Sequence, residues 1–366
     1  MQRPMTIYCD TLAWRQYLLS EYGRSLSQLR DAGYAVRLAP WEAPKAAVKE
    51  SVAVAGATAG ARRPVASGGG AVATDTAVAP LDAQRVLSEL EALRQARPVE
   101  LRRRFPWVSR SLLYAPVVSS TQDLIRSVPL PNGTVIVADE QTAGRGRGAA
   151  SWTTPRGSLA FSMACQCMAA PARFSLQFVQ YVAALSLLAS MPDDTPDAQK
   201  AAAQQLRIKW PNDVLADGHK VAGVLCEAQC YEDRFTIYIG IGVNVLNEQP
   251  TVALRRLPYA ASATREHLLA RFLSDFETSF DVFVERGWEA SGLRERYLQR
   301  WLHTDQAVTL ADTGQHGRIV GLSDTGCLLV RVDEDGSRET VIELQPDVHS
   351  FDWVHSVVYT KRMNRR

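Results

Sequence analysis

The sequence feature that most constrains the fold lies in residues 135–163, where two apolar runs enclose a loop in which glycine alternates with arginine. The first run ends at Ala138 and the second begins at Leu159, so both are typical of strands. The loop contains Gly144, Arg145, Gly146, Arg147 and Gly148. Glycine lets a backbone approach a ligand closely, and successive amides in such a loop can form an anion-binding nest. Because arginine adds a fixed charge and forked donors, the loop predicts a phosphate or carboxylate ligand.

The loop alone does not identify that ligand. Ala149 stands where a dinucleotide-binding fingerprint has its third glycine, and no G-x-x-x-x-G-K-[ST] motif occurs nearby. Taken by itself, the loop is as consistent with a basic RNA-binding turn or a solvated hairpin, counted together, as with a ligand site.

Three further stretches narrow the choice of ligand. One precedes the loop in the sequence and two follow it. Residues 119–122 read S-S-T-Q, residues 207–227 contain K-W-P-N-D and K-x-x-G, and residues 238–246 contain G-x-G-x-N. With Trp152 just after the loop, this set resembles the biotin–protein ligase family, also called holocarboxylase synthetase, from residue 110 to the C-terminus. Two segments, Y-A-P-V-V-S-S-T-Q and S-F-D-W near the C-terminus, look closer to eukaryotic members than to bacterial repressor-ligases.

The resemblance implies ATP-dependent chemistry in two steps. Biotin is activated as biotinyl-5′-AMP with release of pyrophosphate, and a lysine of a biotin carrier domain of a carboxylase then attacks the adenylate. Activation brings a carboxylate against an α-phosphate, so preorganised positive charge is the main catalytic requirement. The implied enzyme is a ligase that forms a carbon–nitrogen bond, with biotin and ATP as substrates and Mg²⁺ accompanying the ATP.

The resemblance also assigns roles to the charged residues. We expect Arg147 to grip the phosphate, Lys220 to lie beside the carboxylate and α-phosphate, and Lys209 to meet the nucleotide phosphates. These three are the expected catalytic residues, whereas Arg145 is expected to close the loop. Asp213 is expected on the magnesium side, since Mg²⁺ takes one or two carboxylates plus phosphate oxygens. The same carboxylate can instead pair with Arg147 or cap a turn.

The remaining ligand contacts are carried over by position in the motifs. The residues expected to bind biotin are Ser120, Thr121, Gln141, Gly144, Arg145, Lys220, Gly223 and Gly240. The residues expected to bind ATP are Arg145, Arg147, Trp152, Lys209, Asn212 and Asn244. The two groups of contacts differ in chemistry, because Ser120, Thr121 and Gln141 would meet the ureido ring while Trp152 would stack on adenine. Gln122 departs from the pattern, since many members have asparagine there.

Composition shifts along the chain predict five segments. They are an N-terminal segment of unknown role at 1–42, a disordered linker at 43–80, an amphipathic helix and connector at 81–104, the catalytic domain at 105–303 and a C-terminal domain at 304–366. Within the first segment, a strand is predicted at 6–9 and a helix at 12–29. This segment is too short to bury a core alone, so we expect it to dock on another part of the chain.

Clustered strands with helices packed against them predict an α+β fold, a mixed β-sheet layered with helices. Long helices are predicted at 174–191 and 265–286, and a polar loop at 193–205. After Ala307, short strands separated by turns predict a small β-barrel. The resemblance implies a class II synthetase-like biotin and lipoate ligase catalytic domain followed by an SH3-like β-barrel.

Charge and cysteine content restrict the partners and the compartment. The net charge is +2, which does not favour nucleic acid as a partner, and no apolar run approaches the ~20 residues that span a membrane. The six cysteines have no framework spacing, so we expect a reduced, cytoplasmic setting, with a mitochondrial pool and a homodimer left open.

Two other functions fit parts of the pattern. A lipoate–protein ligase shares the implied fold and the adenylate chemistry, and a non-catalytic biotin-binding regulator would share the biotin site. The presence of both G-R-G-R and K-W-P-N-D in one sequence favours biotin over lipoate as the substrate. The lack of a recognisable helix-turn-helix and the near-neutral charge argue against a DNA-binding regulator.

Overall fold

A computed structural model describes residues 3–9, 12–40, 78–98, 107–148, 150–168, 176–231, 234–247, 249–334, 338–352 and 354–360. The linker predicted at 43–80 lies outside the described residues except for its last three positions. Among the helices that the structure describes, none combines the length and the apolar composition needed to cross a bilayer.

A nine-stranded mixed sheet forms the centre of the molecule. Its strands are β1 (Arg3–Cys9), β2 (Tyr34–Pro40), β3 (Ser111–Val118), β4 (Val135–Gln141), β5 (Leu159–Met168), β6 (Leu206–Lys209), β7 (Asp213–Ala216), β8 (His219–Tyr231) and β9 (Arg234–Val243). Their order in the sheet is β2-β1-β3-β4-β5-β9-β8-β7-β6. The pairs β1–β2 and β3–β4 are parallel, and the other pairs are antiparallel. The predicted mixed sheet of an α+β fold is confirmed.

Helices cover both faces of this sheet. They are α1 (Leu12–Glu21), α2 (Gly23–Asp31), α3 (Ala83–Ala96), α4 (Thr121–Ser127), α5 (Leu176–Ser190), α6 (Pro196–Gln205), α7 (Arg265–Ala290) and α8 (Leu293–Arg300). Successive strand residues point to opposite faces, and Leu112 accordingly joins the apolar cluster of α3, α5 and α7. Its neighbour Leu113 joins the cluster of α1, α2 and α4. The result is three layers with two apolar interfaces, and α4 carries the S-S-T-Q motif onto one of them.

The N-terminal segment extends the catalytic sheet. Strand β1 pairs antiparallel with β3, and β2 continues the sheet beyond β1. Met5 and Ile7 are each 1% exposed and share one apolar cluster with Leu124 and Ile125 of α4. The single helix expected at 12–29 is two helices, which meet at Tyr22. The segment therefore contributes to the core beneath the motif-bearing helix.

Helix α3 is attached to α7 through a buried carboxylate. Glu277 is fully buried and accepts hydrogen bonds from Arg94 and Arg97 of this segment and from the backbone N–H groups of Trp107 and Val108. A carboxylate inside a protein is stable only with such a full set of partners. These contacts hold α3, Trp107 and Val108 against α7.

The prediction of a polar loop at 193–205 is wrong for most of that range, because residues 196–205 form helix α6. The Thr195 hydroxyl caps this helix by accepting from Ala198 N at 3.2 Å, and Pro196 occupies its first position. A Thr-Pro pair ahead of good helix formers is a recognised start signal. Reading the segment only for polarity concealed that signal.

The C-terminal region forms a second, six-stranded sheet. Its strands are β10 (Ala307–Leu310), β11 (His316–Leu322), β12 (Leu328–Glu334), β13 (Arg338–Leu344), β14 (His349–Asp352) and β15 (Val357–Thr360), in the order β13-β12-β11-β10-β15-β14. The first four match the predicted strands, and the small β domain is confirmed. Strand β14 was not predicted, and it brings residues 349–351 to the catalytic sheet.

Candidate active site

A cavity of about 280 Å³ lies where the glycine–arginine loop, strands β7 to β9 and the C-terminal sheet meet. The predicted site residues that line it are Ser120, Thr121, Gln141, Arg145, Arg147, Trp152, Lys209, Asn212, Asp213, Lys220, Gly223 and Gly240. Residues from motifs up to 120 positions apart thus share one space. His349, Ser350 and Phe351 of β14 also line it, which sequence analysis missed.

One end of the cavity is a hydrogen-bonded polar cluster. Thr121 donates to Gln141 Oε1 through its backbone N–H at 2.8 Å and its hydroxyl at 3.1 Å. Its hydroxyl also lies 2.9 Å from Ser162 Oγ, and Gln141 Nε2 donates to Thr154 Oγ1 at 2.9 Å. Ser120 caps α4 by accepting from Asp123 N at 3.3 Å. Ser162, a polar residue in the apolar strand β5, was missed, although its position opposite Gly240 offers a signal.

Gln122 lies beside this cluster and is buried, with 3% of its surface exposed. Its Nε2 donates to Glu227 Oε2 at 3.0 Å and to Tyr238 O at 3.2 Å. Its Oε1 has no hydrogen-bond partner among the described residues. A Cβ placed on Gly240 would lie 2.6 Å from that oxygen, so only glycine permits this approach. The space that Gly240 leaves is therefore taken up by Gln122 here.

The Trp152 ring lies flat against the glycines of β8 and β9. A Cβ on Gly242 would overlap the ring, and a Cβ on Gly223 would lie 3.3 Å from it. Lys220 Nζ lies 5.3 Å from the ring centroid, which is within cation–π range. The indole Nε1 is buried without a described partner. Gly242 was missed by sequence analysis, although it belongs to the G-x-G motif that contains Gly240.

At the charged end of the cavity, Lys220 Nζ lies 2.7 Å from Asp213 Oδ1. Asp213 begins β7, where it pairs with Lys209 on one side and Gly223 on the other, so the sheet register assembles this group. The alternative pairing of Asp213 with Arg147 is not the one observed. The Asp213 carboxylate neutralises Lys220 until another anion competes for the ammonium.

Arg147 links the loop to the C-terminal sheet. Its Nη2 donates to the carbonyl of Pro346 and lies 3.7 Å from Asp347 Oδ1. Its Nη1 donates to Asn212 Oδ1 at 3.5 Å, and Asn212 in turn donates to Val224 O at 2.5 Å. One guanidinium thus contacts Asn212, which is bonded to β8, and the connection between β13 and β14.

Arg145 turns the other way, toward two carboxylates. Its Nη1 donates to Asp123 Oδ1 at 2.7 Å, and its Nη2 donates to Glu227 Oε1 at 3.1 Å. Burial lowers the pKa of the Arg145 guanidinium, but Asp123 and Glu227 more than offset this, so its pKa stands above the ordinary value. Glu227 was missed by sequence analysis.

Two predicted site residues do not line the cavity. A Cβ on Gly144 would overlap the backbone oxygen of Trp152, so this glycine fixes the path of the loop. Asn244 is buried, donates to Thr251 Oγ1 at 2.7 Å and accepts from Asn247 Nδ2 at 2.9 Å. Because Thr251 donates to Lys220 O at 2.5 Å, Asn244 connects to the site through the backbone of β8.

The K-W-P-N-D segment is held from behind by a buried histidine. His303 Nε2 accepts from Trp210 N at 2.9 Å, so its Nδ1 carries the proton and donates to Gln306 Oε1 at 2.9 Å. Burial lowers the pKa of His303 to about 4, with Lys209 nearby adding to the effect and Gln306 opposing it. The His303 ring also lies 5.0 Å from that of Phe351. Sequence analysis missed His303, because nothing local links it to Trp210.

Comparison with known proteins places this arrangement in a family. Residues 114–244 match the Biotin/lipoate A/B protein ligase family. Biotin–protein ligase 2 of Arabidopsis thaliana is 33% identical over 266 residues, which cover 69% of this chain and 78% of the relative. Biotin–protein ligase of Homo sapiens is 29% identical, with 70% of this chain and 36% of the relative covered.

Among solved structures, the biotin protein ligase of Aquifex aeolicus in complex with biotin and ATP is 26% identical, with a TM-score of 0.48, and 63% of this chain and 98% of that chain are covered. The length and identity of the Arabidopsis match, together with the family match across the loop and both glycine-bearing strands, lead to one conclusion: this chain belongs to the biotin–protein ligase family.

Proposed function

We propose that the protein is an ATP-dependent biotin–protein ligase, which activates biotin as biotinyl-5′-AMP and transfers it to a lysine of the biotin carrier domains of carboxylases. The observation that carries this proposal is a single cavity with a fixed polar cluster at one end and Lys209, Lys220 and Arg147 at the other. Membership of the biotin–protein ligase family supports the same reaction.

The charged end suits the first step. A carboxylate must approach an α-phosphate, and two anions come together only where positive charge is already in place. Lys220 is paired with Asp213 at 2.7 Å, so an incoming carboxylate or phosphate replaces a partner that the protein supplies. Lys220 and Lys209 would stabilise the charge that develops as the carboxylate oxygen attacks phosphorus and pyrophosphate leaves.

The polar end suits the ureido ring of biotin. Thr121, Gln141 and Ser162 hold one another by hydrogen bonds, so their orientation is fixed before a ligand binds. Gln122 adds a buried acceptor without a described partner. A ureido group has both N–H donors and a carbonyl acceptor, and leaving a buried polar group unmatched costs roughly 1–3 kcal/mol.

This polarity distinguishes biotin from lipoate, the substrate of the alternative ligase. The dithiolane ring of lipoate has no N–H or O–H donor to offer Gln122 Oε1. We therefore infer that biotin is the preferred acid, and that lipoate competes weakly even at high concentration. Equal inhibition by the two acids in a competition assay would reverse this preference.

The nucleotide would occupy the side of the cavity formed by Trp152, Asn212 and Arg147. Trp152 offers an aromatic face and a buried indole N–H without a described partner. Asp213 fits Mg²⁺ that arrives with ATP, because Mg²⁺ needs few protein carboxylates when phosphate oxygens supply the rest. Among the described residues, no group of three or more His, Cys, Asp or Glu side chains is arranged so that it could hold a metal ion. Mg²⁺ would supply further charge neutralisation at the phosphates.

The partner of the second step is the carrier domain, whose lysine must reach the adenylate while water does not. We infer a cytoplasmic setting, with a mitochondrial pool left open. None of the six cysteines, all within the described part of the chain, forms a disulfide, which agrees with a reducing compartment. Assembly as a homodimer is also left open and is tested by the mass in solution.

The deciding experiment separates the two steps. With biotin and Mg-ATP, the protein should release pyrophosphate in the absence of a carrier and then label a purified carrier domain when one is added. Lys220→Ala should slow pyrophosphate release by at least about 100-fold, as expected for loss of a preorganised charge. Lys200→Ala, on the exposed side of α6, is the matched control. Pyrophosphate release that does not depend on biotin would refute the proposed function.

A further inference from the structure

Glu227 of β8 collects hydrogen bonds from the other two elements that frame the biotin end of the cavity. Its carboxylate accepts from Gln122 Nε2 at 3.0 Å and Arg126 Nη1 at 2.9 Å, both on α4. It also accepts from Arg145 on the glycine–arginine loop, with Nη2 at 3.1 Å and Nη1 at 3.3 Å. A single side chain therefore joins the strand, the helix and the loop.

The charges of this cluster balance within it. Two guanidinium groups, Arg126 and Arg145, face two carboxylates, Glu227 and Asp123. Arg145 thus has its charge satisfied by two carboxylates at hydrogen-bond distance, whereas Arg147 has its ion pair with Asp347 at 3.7 Å. The two arginines of the loop differ in what they contact. Arg145 attaches the loop to α4 and β8, and Arg147 attaches it to Pro346 and Asn212.

Glu227 also sets the orientation of the Gln122 amide. Because Nε2 has two acceptors, Glu227 Oε2 and Tyr238 O, the amide oxygen must face the cavity. Glutamine at position 227 would offer both a donor and an acceptor, so the Gln122 amide could turn over and present N–H instead. A ligand that brings N–H donors to this point would then meet a donor.

We propose that Glu227 is a positioning residue that anchors the glycine–arginine loop through Arg145 and aims the Gln122 oxygen at the N–H donors of the substrate ring. The second half rests on the proposed function, because it names a biotin-like ureido group as the ligand. The first half concerns the unliganded protein alone. Neither half requires Glu227 to touch the substrate.

The loop anchor is tested by trypsin, since the loop itself contains the bonds Arg145–Gly146 and Arg147–Gly148. The variant Glu227→Gln keeps the shape of the side chain and removes its charge. Cleavage of the unliganded protein within the loop should become about five- to tenfold faster. That figure allows for charge-assisted bonds being stronger than neutral ones, and for screening of a pair whose side chains are 24% and 32% exposed.

Glu140→Gln is the matched control. Glu140 forms an ion pair with Arg156 at 2.6 Å and has 35% side-chain exposure, but it does not line the cavity. This variant should be cleaved in the loop at the wild-type rate. If Glu227→Gln is insoluble, Arg145→Gln removes the same anchor from the loop side, and cleavage is followed at Arg147–Gly148. In the double variant the two effects should not add, because they break one contact.

The orientation of Gln122 is tested by steady-state kinetics of Glu227→Gln. The KM for biotin should rise about tenfold, while kcat and the KM for ATP should change less than about twofold. The reason is that Arg147 keeps its own contacts with Asn212 and Pro346, and Lys220 keeps its contact with Asp213. Glu227→Asp should recover part of the biotin affinity, since it restores the acceptor. A uniform fall in kcat with an unchanged KM for biotin would overturn the proposal.

The trypsin test and the kinetic test can be refuted independently of each other. Wild-type protein without biotin-dependent pyrophosphate release would refute the proposed function, yet the loop anchor would still be measured by trypsin. Unchanged cleavage in Glu227→Gln and Arg145→Gln, at an unchanged melting temperature, would refute the anchor whatever the activity.

Discussion

Acidification should destabilise this protein through one buried imidazole. His303 is fully buried, accepts a hydrogen bond from Trp210 N and has a pKa lowered to about 4, from 6.5 for a free histidine. A depressed pKa means that the folded state resists protonation, so the unfolded state takes up a proton first. The contribution of neutral His303 to the free energy of unfolding is therefore complete above pH 6.5 and is lost as the pH falls from 6.5 toward 4.

The magnitude follows from the two pKa values. Linkage gives a loss of about 2 kcal/mol between pH 7 and pH 5, and about 3 kcal/mol for the whole shift. The assay is the free energy of unfolding from denaturant titrations at several pH values across this range. Carboxylates titrate mainly below this pH range, so comparing wild type with a variant that lacks His303 isolates the contribution of this histidine.

His303→Gln is the informative variant. Its side-chain oxygen can accept from Trp210 N and its amide can donate to Gln306, but it does not titrate. The variant should be less stable than wild type at pH 7, and that difference should shrink by about 2 kcal/mol at pH 5. His316→Gln, an exposed histidine of β11, is the control and should keep the full acid sensitivity. Parallel loss of stability in wild type and His303→Gln would refute the reasoning.

Three further predictions test other parts of the fold. Gly242→Val should force the Trp152 ring off β9 and raise the KM for ATP about tenfold, within the usual cost of overpacking. Gly23→Ala is the control, because the space around Gly23 is open, and an unchanged KM for ATP in Gly242→Val would contradict the placement of Trp152. Glu277→Gln should lower the free energy of unfolding by about 3–5 kcal/mol, because it removes the charge of a buried carboxylate that pairs with Arg94 and Arg97. A change below about 1 kcal/mol in urea denaturation would show that these contacts are dispensable. Deleting residues 1–40 should yield insoluble protein or a melting temperature lower by more than about 10 °C, since it uncovers β3 and the apolar face of α4; a stable, active truncation would contradict this.

The sheet and the central loop could be predicted because their signals are local. The first four residues of strand β4 are apolar on both faces, and residues 135–138 are all buried as that pattern requires. Lys209 and Lys220 both line the cavity, and Lys209 pairs with Asp213 in the sheet. The contact between Lys220 and Asp213 was not among the predictions.

What could not be predicted depends on pairing between distant elements. Glu227 looks like an ordinary exposed residue of β8 until α4 and the loop are placed on either side of it. His303 meets Trp210 across 93 positions, and no local period records that contact. The local pattern predicts a short strand at 6–9, but the pairing of β1 with β3 joins residues separated by more than 100 positions.

That last pairing has a consequence during synthesis. Strands β1 and β2, with α1 and α2 between them, can associate once residue 40 has emerged, since they pair in parallel. The other edge of β1 stays open until β3 is complete at Val118, 78 residues after Pro40. At about 5–20 residues per second, translation leaves this edge open for about 4–16 s. Parallel and long-range pairings also form slowly, so the nascent chain carries a strand with one unpaired edge while it is still attached to the ribosome. The pace of translation through residues 41–118 should therefore set how much of this protein reaches its native state rather than aggregating.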